Sequence, residues 1–260
     1  MRGKIVILGT AAILLTAAGL HAAKAAPKPT AAAKRAAISA NIAAAVANPD
    51  RPDLDRMRDA DRKPGETMAF AGVKPGMHIV ELAPGGGYYT RMLSVAVGPQ
   101  GKVIAVSTRA LAAVNEWAQT HSQVVTMDTA APGTIPTQSI ERVDMVWTTQ
   151  NYHDFKNAKV GASDAAAAYN AAAFDVLHPG GIYLIGDHEG AKGSDATQTS
   201  TLHRIEMATV IKEVEAAGFR LDAQSEVLRH PADDHTARVF DGAVRGKTDQ
   251  FLLRFVKPKK

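Results

Sequence analysis

The sequence predicts an α/β fold, a doubly wound sheet of about seven strands that is mostly parallel with an antiparallel final strand. Three observations predict it. From residue 64 onward short apolar runs alternate with helix-length segments, the pattern of strands covered on both faces by crossover helices. One apolar run ends in an acid and passes directly into clustered glycines, Glu81-Leu82-Ala83-Pro84-Gly85-Gly86-Gly87. The last two runs, 220–228 and 250–256, have no helix between them, which implies antiparallel pairing at one edge.

Residues 1–25 read as a signal peptide. Arg2 and Lys4 precede an apolar run over 5–20, and Ala23-Lys24-Ala25 supplies a small-residue exit. The run is short for a spanning helix, which needs roughly 20 residues. The expected location is periplasmic or secreted after cleavage, with an inner-membrane anchor through an uncleaved leader as the alternative. Residues 26–63 form a linker and N-terminal helices: a linker over 26–37, a weak helix through Val46 stopped by Asn48-Pro49, and an exposed or lid-like helix over 50–63. The main domain is 64–260. Pro64 opens a short helix ending near Gly72, since proline suits a first turn.

Strands are then expected at 77–82, 102–106, 123–127, 143–147 and 182–185, with helices at 88–97, 111–120, 162–177 and 202–217. Trp117 and Trp147 are expected in the core. His78, His121, His178 and His230 fall at turns or element ends and read as surface residues.

Composition narrows the partners. The charge of +4 and pI near 9.2 invite a nucleic-acid reading, but without the leader 27 basic groups face 26 acidic ones. No aromatic–basic interleaving is present, so no nucleic-acid partner is expected. With no cysteine, neither a disulfide nor a thiolate metal ligand can form.

A strand, an acid, a glycine cluster and a helix together form a device for a nucleoside or anionic cofactor. The glycines let the backbone turn sharply and approach the ligand, and the helix start offers free amides. Nicotinamide-binding domains share the device. Its surroundings sharpen the reading. From about Pro64 to Phe255 the chain resembles the Rossmann-like class I S-adenosylmethionine-dependent methyltransferases. Val80 to Gly87 is similar to their first motif, with Ala83 where the first glycine usually stands. Val97-Gly98-Pro99-Gln100-Gly101-Lys102-Val103 is similar to their link into the second strand. Leu177-His178-Pro179-Gly180-Gly181 resembles their turn before the fifth strand, and Ala217-Gly218-Phe219 the end of their last helix. The nearest likeness is to exported bacterial predicted methyltransferases, through Arg58-Asp59-Ala60-Asp61-Arg62-Lys63-Pro64 and Arg245-Gly246-Lys247-Thr248-Asp249-Gln250-Phe251.

The resemblance implies S-adenosylmethionine as cofactor, held by Glu81, Ala83, Pro84, Gly85, Gly86 and Gly87, with Asn151 added from the fourth strand's end. The family's ribose-binding acid is missing, since the second strand ends Ser107-Thr108: either Ser107 or Thr108 binds the ribose more weakly, or the cofactor is not S-adenosylmethionine. Asp128 matches the position that contacts the adenine amino group.

Ligands of open parallel sheets sit beyond the carboxyl ends of the strands. Two of those ends are polar, through Asn151, His153 and Asp154 and through Asp187, His188 and Glu189. His153 or His188 could serve as a base, since imidazole titrates near neutrality. Alternatively Asp154, Asp187, His188 and His203 could hold a divalent metal, or the group is a structural network with the arginines of 50–63. His203 and Glu206 are expected on one helix face. The function read from this is methyl transfer to a small-molecule or envelope acceptor. The alternatives are an exported ligand- or partner-binding protein that keeps the fold without catalysis, and a nicotinamide oxidoreductase, disfavoured because its acidic ribose ligand is missing too.

Overall fold

The computed structural model describes residues 39–259; the leader and the linker over 26–37 lie outside the described residues. Three short helices, α1 (Ala40–Val46), α2 (Asp53–Arg56) and α3 (Asp59–Arg62), lead to α4 (Pro64–Ala71). Then follow β1 (His78–Leu82), α5 (Tyr88–Val97), β2 (Lys102–Ser107), α6 (Ala112–Ala118), β3 (Val124–Asp128), β4 (Val143–Thr149) and α7 (Tyr152–Asn157). A small hairpin, β5 (Lys159–Val160) and β6 (Ser163–Asp164), precedes α8 (Ala165–Val176), β7 (Leu177–His188), α9 (Met207–Ala216), β8 (Arg220–Ser225) and β9 (Gln250–Val256).

The seven-stranded sheet runs β3-β2-β1-β4-β7-β9-β8. Pairings from β3 to β7 are parallel, and β9 is antiparallel to both β7 and β8. The antiparallel final strand is as expected, but it slots between β7 and β8 and leaves β8 at the rim. Side chains alternate between faces along each strand. Val80, Leu82, Val146 and Ile185 point to one core, with Tyr152, Tyr169 and Val210. Ile79, Met145, Trp147 and Leu184 point to the other, with Met68, Tyr89 and Met92. Both faces are covered, so the central strands are mainly apolar, which is why they read clearly. Trp147 is fully buried, and Trp117 stacks on His121 with ring centres 3.7 Å apart.

Several expectations need correction. Residues 50–63 form two short helices instead of one. The fifth main strand extends over the turn at 178–181, where its pairing with β4 shifts register and Gly180 takes φ +87°. The helix expected over 202–217 begins only at Met207, because His203 takes φ +56° and Ile205 bridges to Glu189 beside the sheet. His203 therefore stands in a loop, and Glu206 precedes the helix; they share no helix face.

The long segment between β8 and β9 is fixed from within. Arg204, fully buried, donates to both oxygens of Asp233 at 2.8 and 3.0 Å, and to the carbonyls of Glu189 and Ala237. Asp233→Ala leaves that guanidinium buried without its counter-charge, so urea unfolding should show a loss of about 3–5 kcal/mol.

Candidate functional site

The glycine loop turns at the end of β1 by placing Ala83, Gly85 and Gly87 at φ +52°, +58° and +81°. For Ala83 this left-handed conformation costs roughly 1–2 kcal/mol. Its backbone is held there: the amide donates to Val106 at 2.8 Å, and the carbonyl accepts from Asn151 Nδ2 at 3.1 Å. A methyl group built on Gly85 or Gly86 would meet nothing within 4 Å, so the loop borders open space. On Gly87 it would meet Val114 at 3.0 Å, which ties that glycine to packing at the start of α5.

The open space is a cleft of about 170 Å³, lined among others by Glu81, Ala83, Pro84, Gly85, Gly86, Arg62, Tyr88 and Asn151. It joins a chamber of about 250 Å³ bounded by Ser107, Thr108, Leu111, Asp154, Phe155 and Tyr169, sharing Ala83, Gly85 and Asn151 with it. Ser107 Oγ accepts from the amide of Arg109 at 3.0 Å, so the hydroxyl shapes the turn as well as facing the chamber. Asp128 pairs with Ser107 in register but is exposed and lines neither cavity. Asn151 also donates to Thr149 O at 2.7 Å, bracing the end of β4 against the loop.

A third cavity, of about 640 Å³, adjoins the cleft through shared Arg58, Arg62 and Gln150. Its other walls include Leu54, Met57, His188, Phe240, Arg245, Thr248 and Gln250. Leu54 and Met57 are 75% exposed and Phe240 51%, so three large apolar side chains face the same opening. Arg62 donates to Gln150 Oε1 and stacks 4.7 Å over Tyr88, whose hydroxyl donates to Asp59 at 2.7 Å. Sequence reasoning gave Arg58 and Arg62 only a place in a structural network, and no role to Gln150 or Arg245. The signal was present in the two quoted segments, 58–64 and 245–251, which the fold brings into contact: a Cβ on Gly246 would sit 2.7 Å from Asp61 Oδ2.

The acid–histidine group resolves into two arms. Asp187, fully buried, accepts from the amide and from Nδ1 of His153 and from the amide of His188, each at 2.8 Å. Burial opposes protonation of His153, but the Asp187 charge and hydrogen bond outweigh it and raise its pKa. His188 is the opposite case. Burial depresses it to about 4, against the pull of Asp187, so the ring is neutral near pH 7. Its Nδ1 pairs with Thr248 Oγ1 at 2.8 Å. His188 lines the large cavity, whereas His153 is buried and lines none of the cavities described. The four-residue metal set does not assemble: Asp187 spends its oxygens on His153 and His188, while Asp154 and His203 approach His153 instead. The four histidines read as surface residues, His78, His121, His178 and His230, are all half-buried.

Glu81 is almost fully buried, and burial raises its carboxyl to about 7 against the opposing Thr90 hydrogen bond and Arg91 charge. A raised acid holds its proton in the folded state where the unfolded chain has lost it. Its contribution to stability therefore falls as pH rises from about 4.5 to about 7 and is flat above. Denaturant unfolding across that window should show a shallower decline in Glu81→Gln than in the parent chain. The difference in slope should approach about 1.4 kcal/mol per pH unit.

No family model matches the chain, and no curated protein matches it. Solved structures do. A SAM-dependent methyltransferase from Aquifex aeolicus is 18% identical, with TM-score 0.55 over 79% of this chain and 95% of that one. A putative methyltransferase from Bacillus halodurans C-125 is 18% identical, with TM-score 0.53 over 74% of this chain and 97% of that one. The [4+2]-cyclase SpnF is 16% identical, with TM-score 0.54 over 79% and 81%. At these identities the likeness concerns architecture, and sheet order, antiparallel final strand and glycine loop agree with it. The chain has the Rossmann-like α/β fold of the class I S-adenosylmethionine-dependent methyltransferases.

Proposed function

We propose that the chain binds S-adenosylmethionine in the chamber and cleft over β1 and β2 and transfers its methyl group to a small acceptor in the large cavity beside them. The observation that carries this reading is continuity. The cleft at the glycine loop shares three residues with the chamber on one side and three with the large cavity on the other. Methyl transfer is an in-line displacement that depends on holding donor and acceptor in file. Leu111, Phe155 and Tyr169 suit an adenine ring. Arg58 and Arg62 suit the carboxylate at the other end of the cofactor, since guanidinium groups match carboxylate geometry.

The acceptor side combines Leu54, Met57 and Phe240 with Arg58, Arg62 and Arg245, which fits a small molecule with an apolar body and an acidic group. His188 lines that cavity as a neutral ring, a weak base that can accept a hydrogen bond from an acceptor that must lose a proton. The leader reading makes that acceptor an envelope component met in the periplasm or outside the cell.

A second reading is a ligand-binding protein that keeps the fold without methyl transfer. It is favoured by the missing carboxylate at Ser107 and Thr108, and the cyclase among the structural neighbours shows the architecture under another activity name.

Calorimetric titration with S-adenosylmethionine and its demethylated product decides the first point; no heat at millimolar ligand with well-folded protein would sink the proposal. Ser107→Asp, which restores an acid for the ribose hydroxyls, should tighten binding roughly 10–100-fold, the effect of one charge-assisted hydrogen bond. With an accepted substrate, His188→Ala should lower turnover about 10²–10⁴-fold while cofactor affinity holds.

A further inference from the structure

His153, Asp154 and His203 converge in a way that neither the cleft nor the large cavity requires. His153 Nε2 and His203 Nδ1 are 3.3 Å apart, and Asp154 Oδ1 lies 3.5 Å from each. The two carboxylate separations exceed ordinary hydrogen-bond reach, so the oxygen is equidistant from two nitrogens without bonding either well. A cation held tetrahedrally at 2.0–2.1 Å separates its ligands by about 3.3–3.4 Å, and the triangle's edges of 3.3, 3.5 and 3.5 Å lie close to that. Octahedral ligation at the same bond length would bring neighbours to about 3.0 Å, shorter than all three separations.

We infer that His153 Nε2, Asp154 Oδ1 and His203 Nδ1 form a zinc-type metal site with one open coordination position. Two imidazoles and one carboxylate select zinc-like ions over magnesium or calcium, which prefer all-oxygen shells. The surroundings support the assignment independently of the distances. The Asp187 carboxylate accepts at 2.8 Å from His153 Nδ1–H, the tautomer that leaves Nε2 with its lone pair toward the triangle. A buried carboxylate behind a ligating histidine is the outer-shell partner that fixes ring orientation and tautomer.

His203 reaches the triangle from a backbone at φ +56°, a conformation uncommon outside glycine that histidine tolerates better than most residues. Ile205 N on His188 O at 3.1 Å and Gly190 N on Ile205 O at 2.9 Å pin that loop to the end of β7. Access is graded: the side chains of His153, His203 and Asp154 are 4%, 19% and 41% exposed, so the open position is approached from the Asp154 side. Asp154 also lines the chamber and Phe240, packed edge-on to His203, lines the large cavity.

The test is titration of full-length protein, purified without a polyhistidine tag and stripped by chelator, with Co²⁺ followed by visible absorption. One equivalent should give the intense ligand-field bands of four-coordinate cobalt, and stoichiometric zinc should abolish them. His203→Ala and Asp154→Ala should lose the signal while circular dichroism keeps the parent spectrum. Asp187→Asn, which spares all three ligands, should weaken affinity about 10–100-fold. Zinc should raise the unfolding temperature of the parent but not of His203→Ala. No saturable binding at equimolar metal, the weak spectrum of six-coordinate cobalt, or binding unchanged in His203→Ala would overturn the site. Cofactor titration on the same samples reads out the methyl-transfer proposal separately, so either can fail while the other stands.

Discussion

One buried carboxylate organises the carboxyl end of the sheet. Asp187 sits at the end of β7 with no exposure and takes three hydrogen bonds, two from His153 and one from the amide of His188. An ionised group in that position is unfavourable unless it is paired and bonded. Burial works to raise its pKa, but the His153 charge and the hydrogen bonds prevail and hold it below the usual carboxylate value. The same bonds have a structural result. They lock the first turn of α7 to β7, and through His188 and Thr248 they reach the segment that enters β9. Asp187 orients the His153 ring through Nδ1 and raises its pKa, whereas it holds only the backbone of His188, whose ring is set by Thr248 and whose pKa is lowered by burial against the Asp187 charge.

The other wall of the cleft comes from residues before the sheet. The polar run over 50–63 suggested an exposed, lid-like helix, yet it is fastened down. Arg51, buried, donates to both oxygens of Asp59, and Arg91 of α5 reaches Asp55 at 2.7 Å. Lys63 donates to the carbonyl of Val227, just after β8, at 2.8 Å. Paired charges of this kind contribute little net stability against apolar packing, but breaking one partner is costly, so they act as registration. What they register is the position of Arg58 and Arg62 over Tyr88, between the cleft and the large cavity.

This division explains what could be read from the chain alone. Strands β1, β2, β4 and the core of β7 were legible because a strand covered on both faces is mainly apolar, and glycine or proline stands before or after β1, β2 and the core of β7. The glycine loop was legible because its conformations need residues without side chains, and Ala83 is the exception its braced backbone tolerates. The convergence of His153 with His203 was hidden, since it joins residues far apart in sequence and depends on His203 leaving helical geometry, which helix-like spacing over 202–217 concealed. Arg58, Arg62 and Arg245 were visible as segments but not as a site, because charge patterns on short helices and loops look the same whether they face water or a cavity.

The same geometry bears on how a cleft without the usual ribose acid can hold its cofactor. At the end of β2, Ser107 Oγ accepts from the Arg109 amide, so what it can offer the chamber is a neutral hydroxyl, its O–H and one remaining lone pair. A neutral hydrogen bond contributes about 0.5–1.5 kcal/mol against 1.5–3 for one with a charged partner. At the opposite end two guanidinium groups face the cleft, and Arg62 is held by Gln150 and the Tyr88 ring so that little freedom is lost on binding. On the proposed reading, affinity has moved along the cofactor, from the ribose hydroxyls toward the amino-acid carboxylate. That shift also fits a cleft whose arginines are shared with the neighbouring cavity, because a cofactor carboxylate seated on them neutralises charge that would otherwise face the acceptor.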